Sequence, residues 1–405
     1  MGMLRTIRSV VRLRRPERDR TTRRLRTAAN VGDLRRLAKK RLPGGVFDYI
    51  DGGAEDEVTL GRNVEAFRRC EFRPRVLRGV AGVDPSTTLL GRQVTFPYIT
   101  APVGFTRIAD PDGELAVVRA AGRAGVPFTL STMGTRSIEE CAAVAGDGAR
   151  LWFQVYVWHD RDHIRSLVER AAASGYEAIV LTVDLAVLGR RERDIRRGFI
   201  LPPEIGPGTF LDAMRHPGWT LRLLRSEPIR FSSATGGDGT DAVSLAEHSA
   251  ALFDPDLAWR DLEWLQSIWD GPIVLKGIQT VADARLAADA GVAAIAVSNH
   301  GGRQLDTAPV PLELLPDVVE AVGHRIEVIC DGGVRRGSDI VKACALGATA
   351  VMAGRPHMYA LGAAGERGID HMLGLMRSGT ESTMALVGAR TVAELDPSLV
   401  RLPVC

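Results

Sequence analysis

Residues 272–298 read P-I-V-L-K-G-I-Q-T-V-A-D-A-R-L-A-A-D-A-G-V-A-A-I-A-V-S. Two short apolar runs, P-I-V-L-K (272–276) and A-A-I-A-V-S (293–298), flank the stretch V-A-D-A-R-L-A-A-D-A-G (281–291). That stretch has helical composition and closes on a glycine, as helices do. Apolar runs this short, without polar alternation, suit strands buried on both faces. Strand, helix, strand is the repeating unit of a parallel sheet.

Outward from this unit the rhythm repeats, beginning near residue 97. Further runs are P-Y-I-T-A-P-V (97–103), P-F-T-L-S-T (127–132), L-W-F-Q-V-Y-V (151–157), A-I-V-L-T-V (178–183), E-V-I-C-D (327–331) and T-A-V-M-A-G (349–354). Eight strands alternating with helices predict an α/β fold of the (β/α)8 TIM-barrel type, with a doubly wound open sheet as the alternative. One interval breaks the pattern. Residues 185–252 are a long insertion after strand 4, and segments of that length usually serve as lids. Its first part, F-L-D-A-M-R-H-P-G-W-T-L-R-L-L (210–224), predicts helix, and F-S-S-A-T-G-G-D-G-T-D (231–241) predicts a mobile segment. Before the barrel, residues 31–70 read as a helical cap: Val31, Leu34, Leu37 and Leu42 share a helical period that Pro43 ends. The barrel unit with its cap is thus expected over 31–400, preceded by a basic extension over 1–30.

Composition separates this extension from the body. Residues 1–41 hold 15 Lys and Arg against 3 Asp and Glu, and the rest holds 37 against 46, beneath a net charge of only +3. Within 4–15, Leu4, Ile7, Val10 and Val11 lie near one helical face, while Arg5, Arg8, Arg12 and Arg15 lie mostly on another and Arg14 departs from the pattern. A basic amphipathic segment fits an anionic membrane surface, with a solvated tail as the plain alternative. The head has no aromatic residue to stack on bases, so no nucleic acid partner is expected. Arg14-Arg15 is followed by charged rather than apolar residues, which argues against export. Met1-Gly2 with Thr6 matches an acylation pattern too short to decide anything. The five cysteines show no C-x-x-C spacing, so neither a disulfide framework nor a metal site is expected, and a reducing cytoplasm fits. No apolar stretch is long enough to span a bilayer.

Barrels of this type work at the C-terminal ends of their strands. Ser131 and Thr132 end strand 2, Gln154 and Tyr156 strand 3, Thr182 and Asp184 strand 4, and Lys276 strand 5. After strand 6 comes S-N-H-G-G-R-Q-L-D (298–306), after strand 7 D-G-G-V-R-R-G (331–337), and after strand 8 G-R-P (354–356). The chain has only four lysines among 52 basic residues, so one ending a buried strand is not surface filler. Lys276 then reads as a cofactor contact or, in another reaction class, as a Schiff-base lysine of an aldolase or lyase. The glycine-plus-arginine turns carrying Arg335 and Arg355 suit a phosphate. His300 can act as a base, Asp184 can orient it, and Arg191 with Arg303 can clamp a small carboxylate.

At these residues the chain resembles the FMN-dependent L-2-hydroxy-acid oxidase and dehydrogenase family. F-Q-V-Y, L-T-V-D, S-N-H-G-G-R-Q-L-D, D-G-G-V-R-R-G-S-D and the G-R-P turn occur in order, over roughly residues 31–400. Within it, A-P-V-G-F (101–105) and the segment 253–278 are most similar to bacterial membrane-associated L-lactate dehydrogenases. The resemblance implies His300 as base, Asp184 as its partner, Arg191 and Arg303 on the substrate carboxylate, and Tyr49 and Tyr156 hydrogen-bonding to substrate. It implies an FMN ring contacted by Ser131, Gln154 and Thr182, with Lys276 at its N1/O2 edge and Val103 and Gly104 beside it. Ser298 and Asp331 then face the ring or ribityl chain, and Gly333, Arg335, Gly354 and Arg355 the phosphate. Met133 stands where plant glycolate oxidases carry tryptophan, in the pocket for the substrate side chain. Gly104 stands where many members carry alanine, a feature shared with some dehydrogenases and with lactate monooxygenases. The expected activity is oxidation of L-lactate to pyruvate with electrons passed to a quinone or another non-nicotinamide acceptor. An oxygen-using oxidase or monooxygenase is the alternative within the family. A homo-oligomer, tetramer-like, peripheral on the inner face of the cell membrane completes the expectation.

Overall fold

The computed structural model describes residues 17–197, 206–231 and 253–403. Eight parallel strands close on themselves: β1 (Tyr98–Thr100), β2 (Phe128–Ser131), β3 (Leu151–Val155), β4 (Ala178–Thr182), β5 (Ile273–Ile278), β6 (Ala294–Ser298), β7 (Glu327–Asp331) and β8 (Ala350–Ala353). Pairing of Val351 with Tyr98 joins β8 to β1, so the sheet has no edge and the open-sheet alternative is excluded.

The two-residue period of each strand divides the apolar residues between two cores. Ile99, Trp152, Val180, Val274, Ala294, Ala296, Ile329 and Met352 fill the barrel interior. Tyr98, Phe153, Ile179, Leu275, Ile295 and Cys330 belong to the outer core shared with the helices. Both faces of each strand are dry, which is why the runs are apolar throughout. A hairpin of Thr87–Leu89 and Arg92–Val94 contributes Leu89 and Val94 to the interior.

Register carries the site. Ser131 pairs with Gln154, Thr182 with Lys276, and Ser298 with Asp331, each at the C-terminal end of its strand. Strand β5 runs to Ile278, two residues past the expected end at Lys276, because Gly277 (φ +112°) forms a bulge there. The first apolar run yields only Tyr98–Thr100, and its remainder becomes the loop that carries Val103 and Gly104.

The cap begins with the helix Val31–Arg41, stopping just before Pro43 as its sequence predicts, and continues through Gly44–Asp51 and Val58–Arg69. Its buried Val31, Leu34 and Ala38 face the helix Arg355–Ala364. Gly362 permits the approach, since a Cβ there would lie 2.7 Å from Leu42 and 3.3 Å from Ala38. Each fully buried Leu contributes roughly 1.5–3 kcal/mol, whereas an exposed pair such as Arg36–Asp33 contributes about 0.2–1 kcal/mol. The apolar stripe therefore holds the cap. Upstream, a short helix Arg20–Leu25 packs on the body through buried Leu25 and Ala28. Residues 4–15 lie outside the described residues.

The insertion holds the helices Glu192–Arg197, Pro207–Arg215 and Pro217–Leu224, the last two parted at Pro217. Trp219 Nε1 donates to Ile108 O at 2.7 Å, and Arg222 pairs with Asp110 at 2.7 Å. These contacts tie the insertion to the loop after β1. Of the glycine-rich stretch 231–241, only Phe231 falls among the described residues.

Candidate active site

A cavity of 390 Å³ opens at the C-terminal ends of the strands, within the roughly 300–1,000 Å³ of small-molecule sites. The cap sends Tyr49 into its wall, the loop after β1 sends Val103 and Gly104, and the end of β2 sends Ser131 and Met133. Tyr156, Arg191, Lys276, His300 and Arg303 follow from later loops, and Asp331, Gly333, Arg335, Gly354 and Arg355 close the circuit. Gln154, Thr182 and Ser298 lie fully buried behind this wall, as does the side chain of Asp184. All the residues singled out in the sequence thus gather at one mouth.

His300 sits in the left-handed region (φ +56°), followed by Gly301 (+64°) and Gly302 (+74°). This turn doubles the chain back tightly, and a Cβ at Gly302 would lie 2.6 Å from Leu60 N. His300 Nδ1 meets Asp184 Oδ1 at 2.9 Å, leaving Nε2 for the cavity that the residue lines. Burial, opposed by Asp184, sets the His300 pKa below its ordinary value. Burial works the other way on Asp184, but His300 and Lys276 outweigh it and hold the carboxyl below its ordinary value. Both groups of the dyad are thus held below their ordinary values, the imidazole by burial and the carboxyl by the cationic neighbours. Gly277 makes room for the dyad, since a Cβ there would lie 2.7 Å from Asp184 Cβ.

Beneath the imidazole, Lys276 Nζ lies 3.0 Å from Asp331 Oδ2 and 3.2 Å from Ser298 Oγ. Ser298 Oγ donates to Asp331 at 2.7 Å and accepts from His300 N at 3.1 Å. Burial alone would lower the lysine pKa, yet Asp331 and Asp184 together raise it. A lysine held in an ion pair with a carboxylate is a poor Schiff-base nucleophile, which counts against the lyase reading.

Toward the cap, the guanidinium carbons of Arg303 and Arg191 lie 5.1 and 5.7 Å from the centre of the Tyr49 ring. Arg303 Nη1 donates to Tyr49 O at 2.7 Å and to Gly52 O at 3.2 Å. Burial first, then the neighbouring charge of Arg191, pushes Arg303 down to about 9. Asp194, 3.8 Å from Arg191, makes a loose pair with it. Two cations crowded in this way are relieved by an anion between them. Burial holds the Tyr156 phenol protonated, so it serves as a donor.

Several observations test whether FMN fits. Among the described residues, Gln154 Nε2 and Thr182 Oγ1, both buried at strand ends, have no hydrogen-bond partner. A planar heterocycle with donors and acceptors on its edge satisfies such groups. Ser131 Oγ donates to Gln154 Oε1 at 2.9 Å and fixes that amide. At the other end, Gly354 is the N-cap of Arg355–Ala364 and offers no side-chain cap, leaving the first amides for an anion. Gly333 is held so closely that a Cβ would lie 2.0 Å from Asn63 O. Arg335 Nη1 donates to Val334 O at 2.8 Å. Arg355 departs from the simple phosphate role, because its two terminal nitrogens donate to Gly301 O and Gly52 O. Apart from that difference, the residues fit the cofactor.

Sequence reasoning passed over several participants. Asn299 and Asn63 exchange two hydrogen bonds of 2.8 Å and brace the β6 loop against the cap. Asp306 accepts from Thr59 N at 2.8 Å and Val58 N at 3.2 Å, capping the helix Val58–Arg69. Gln304 Nε2 donates to Val187 O at 2.9 Å, fastening the loop after β4. All three stand in or face S-N-H-G-G-R-Q-L-D, where polar residues among glycines were the available signal. Phe231, within the insertion, stacks on Phe105 at 5.4 Å, and Phe253, just after it, meets Tyr156 edge-on at 5.2 Å, so both wall the cavity. No sequence signal marked these two.

Comparison with known proteins agrees with this geometry. A family model described as FMN-dependent dehydrogenase matches residues 38–402. A Mycobacterium tuberculosis (strain ATCC 25618 / H37Rv) protein named "Putative L-lactate dehydrogenase" is 44% identical, covering 97% of this chain and 94% of that protein. Glycolate oxidase 1 of Oryza sativa subsp. indica is 45% identical, covering 90% and 94% respectively. Among solved structures, the monotopic membrane protein (S)-mandelate dehydrogenase superposes with a TM-score of 0.89 at 37% identity, covering 93% of this chain and all of that one.

Proposed function

The chain belongs to the FMN-dependent dehydrogenase family, whose cofactor and 2-hydroxy-acid chemistry it shares, and from that premise we propose that it oxidises L-lactate to pyruvate. Electrons pass to a quinone or another non-nicotinamide acceptor. The observation that carries the reading is the buried His300–Asp184 pair opening onto a cavity that Arg191 and Arg303 also line, both against the Tyr49 ring.

Each step assigned to the chain follows from that arrangement. Arg303 and Arg191 take the carboxylate of the 2-hydroxy acid, and Tyr49 and Tyr156 donate to its oxygens. His300 Nε2 removes the substrate proton, and Asp184 stabilises the imidazolium that results. Ser131, Gln154, Thr182, Val103 and Gly104 would hold the flavin ring. Ser298 and Asp331 would lie along the ribityl chain, and Gly333, Arg335, Gly354 and the first amides of the helix that Arg355 opens would hold the phosphate. FMN supplies the two-electron acceptor when bound. Lys276, fixed as an ammonium, puts positive charge where negative charge develops. Met133 lines the cavity beside the substrate side chain. A Cβ at Gly104 would lie 2.8 Å from Met133 Cβ and 3.0 Å from its carbonyl oxygen, so the glycine and the methionine are matched.

Anaerobic addition of L-lactate is expected to bleach the flavin of the holoenzyme faster than glycolate or mandelate, and a quinone-like dye to reoxidise it faster than oxygen. Faster bleaching by either competitor would replace lactate as the substrate. Reoxidation led by oxygen would favour the oxidase reading.

The same reading seats a homo-oligomer, tetramer-like, on the inner face of the cell membrane. Supporting it, the helices Pro207–Arg215 and Pro217–Leu224 bury no residue and expose Phe210 (61%), Met214 (61%) and Leu224 (76%), with Arg215, Arg222 and Arg225 alongside. Among the described residues no helix is long and apolar enough to cross a membrane. Co-sedimentation with anionic vesicles is expected to fall when residues 1–28 are deleted; unchanged sedimentation would remove residues 4–15 from the contact.

A further inference from the structure

Arg355 sits at the phosphate end of the cofactor site, yet its guanidinium is engaged elsewhere. Nη1 donates to Gly301 O at 2.8 Å and Nη2 to Gly52 O at 2.7 Å, while Nε is buried without a hydrogen-bond partner among the described residues. The two carbonyls lie 54 and 303 residues away in sequence, one beside the catalytic histidine and the other at the end of the cap helix Gly44–Asp51. Gly52 O also receives Arg303 Nη1, whose other acceptor is Tyr49 O. Ala54 N donates to Gly302 O at 2.8 Å, lacing the same two segments once more. Segments 49–54 and 300–303 carry Tyr49, His300 and Arg303, and they converge on this one side chain.

We propose that Arg355 is a positioning residue that locks the cap and the β6 loop into one substrate-binding body, setting affinity for the substrate carboxylate from the far end of the cofactor site. The identity of that anion rests on the functional reading above. Only arginine suits the task, because its planar fork reaches two carbonyls at once, whereas lysine brings one point charge. Gly301 leaves the space, since a Cβ there would lie 2.7 Å from Arg355 Nη1. Arg335 serves as the contrast, because its terminal nitrogen reaches only the adjacent Val334 O.

The test compares Arg355→Lys and Arg335→Lys as FMN-saturated holoenzymes. Arg355→Lys is expected to raise both KM and the inhibition constant for oxalate about tenfold, the effect of losing one good charge-assisted hydrogen bond, with kcat held within about threefold. Arg335→Lys is expected to raise the FMN needed for saturation by a larger factor than it raises the oxalate inhibition constant, the reverse of Arg355→Lys. If Arg355→Lys keeps KM and oxalate affinity within about twofold of wild type, Arg355 serves the phosphate alone and the proposal is overturned. If that variant does not fold, Gly301→Ala displaces the guanidinium while keeping its charge, and unchanged oxalate affinity there overturns the proposal equally. Oxalate binding is read from flavin absorbance without turnover. A wild-type protein that binds oxalate but oxidises no 2-hydroxy acid would therefore sink the functional reading and leave this inference standing.

Discussion

Replacing His300 by glutamine is expected to lower kcat by about 10²–10⁴-fold, the usual worth of a positioned base, while FMN stays bound. Glutamine can still donate to Asp184 Oδ1, so the buried carboxylate keeps a partner, but its amide cannot accept a proton. None of the groups proposed to hold the ring is removed, because Ser131, Gln154 and Thr182 sit on β2, β3 and β4. The left-handed backbone at position 300 adds a modest strain that thermal unfolding would register separately. The pH dependence gives a second signature. The base must be neutral, and burial against the pull of Asp184 sets its pKa below the ordinary 6.5. The acid limb of wild-type activity should therefore have its midpoint below pH 6.5, and this limb should vanish from the variant's residual rate. Stoichiometric loss of FMN, or a rate within about tenfold of wild type, would make His300 structural instead.

The barrel was legible because its strands are buried on both faces, which writes each one as an apolar run, and every run maps to a barrel strand. The cap helix was legible from Val31, Leu34 and the stop at Pro43. Residues at strand ends could be placed at the mouth by the barrel rule alone, since parallel register sets Ser131 beside Gln154 and Thr182 beside Lys276. What stayed hidden depends on contacts between distant segments. Nothing local in G-R-P tells that Arg355 reaches Gly52 and Gly301. Phe231 and Phe253 look like ordinary apolar residues until the fold brings them to Phe105 and Tyr156. Gly277 stood just past the expected strand end at Lys276, although its positive φ makes the bulge that carries β5 on to Ile278 and gives Asp184 its place.

Lys276→Met is the other large effect, and it separates two consequences of one ammonium. Removing it leaves Asp331 buried without its cation, 3.0 Å from the lost nitrogen. Breaking one partner of a buried pair costs about 3–5 kcal/mol, so a large drop in the unfolding midpoint and weaker FMN retention are expected. The rate of flavin reduction should also fall by about 10²–10³-fold, the size of effect seen when a fixed group facing developing charge is removed. The two losses come apart in the double variant Lys276→Met/Asp331→Asn. The amide leaves no uncompensated charge and can still accept from Ser298 Oγ, so stability should largely return. Reduction should not, because the positive charge beside the cofactor is still missing. Coupling of this kind is read from a double-mutant cycle in both stability and rate. If the double variant recovers the rate along with the midpoint, Lys276 acts only by neutralising Asp331, and its assignment to the chemistry falls.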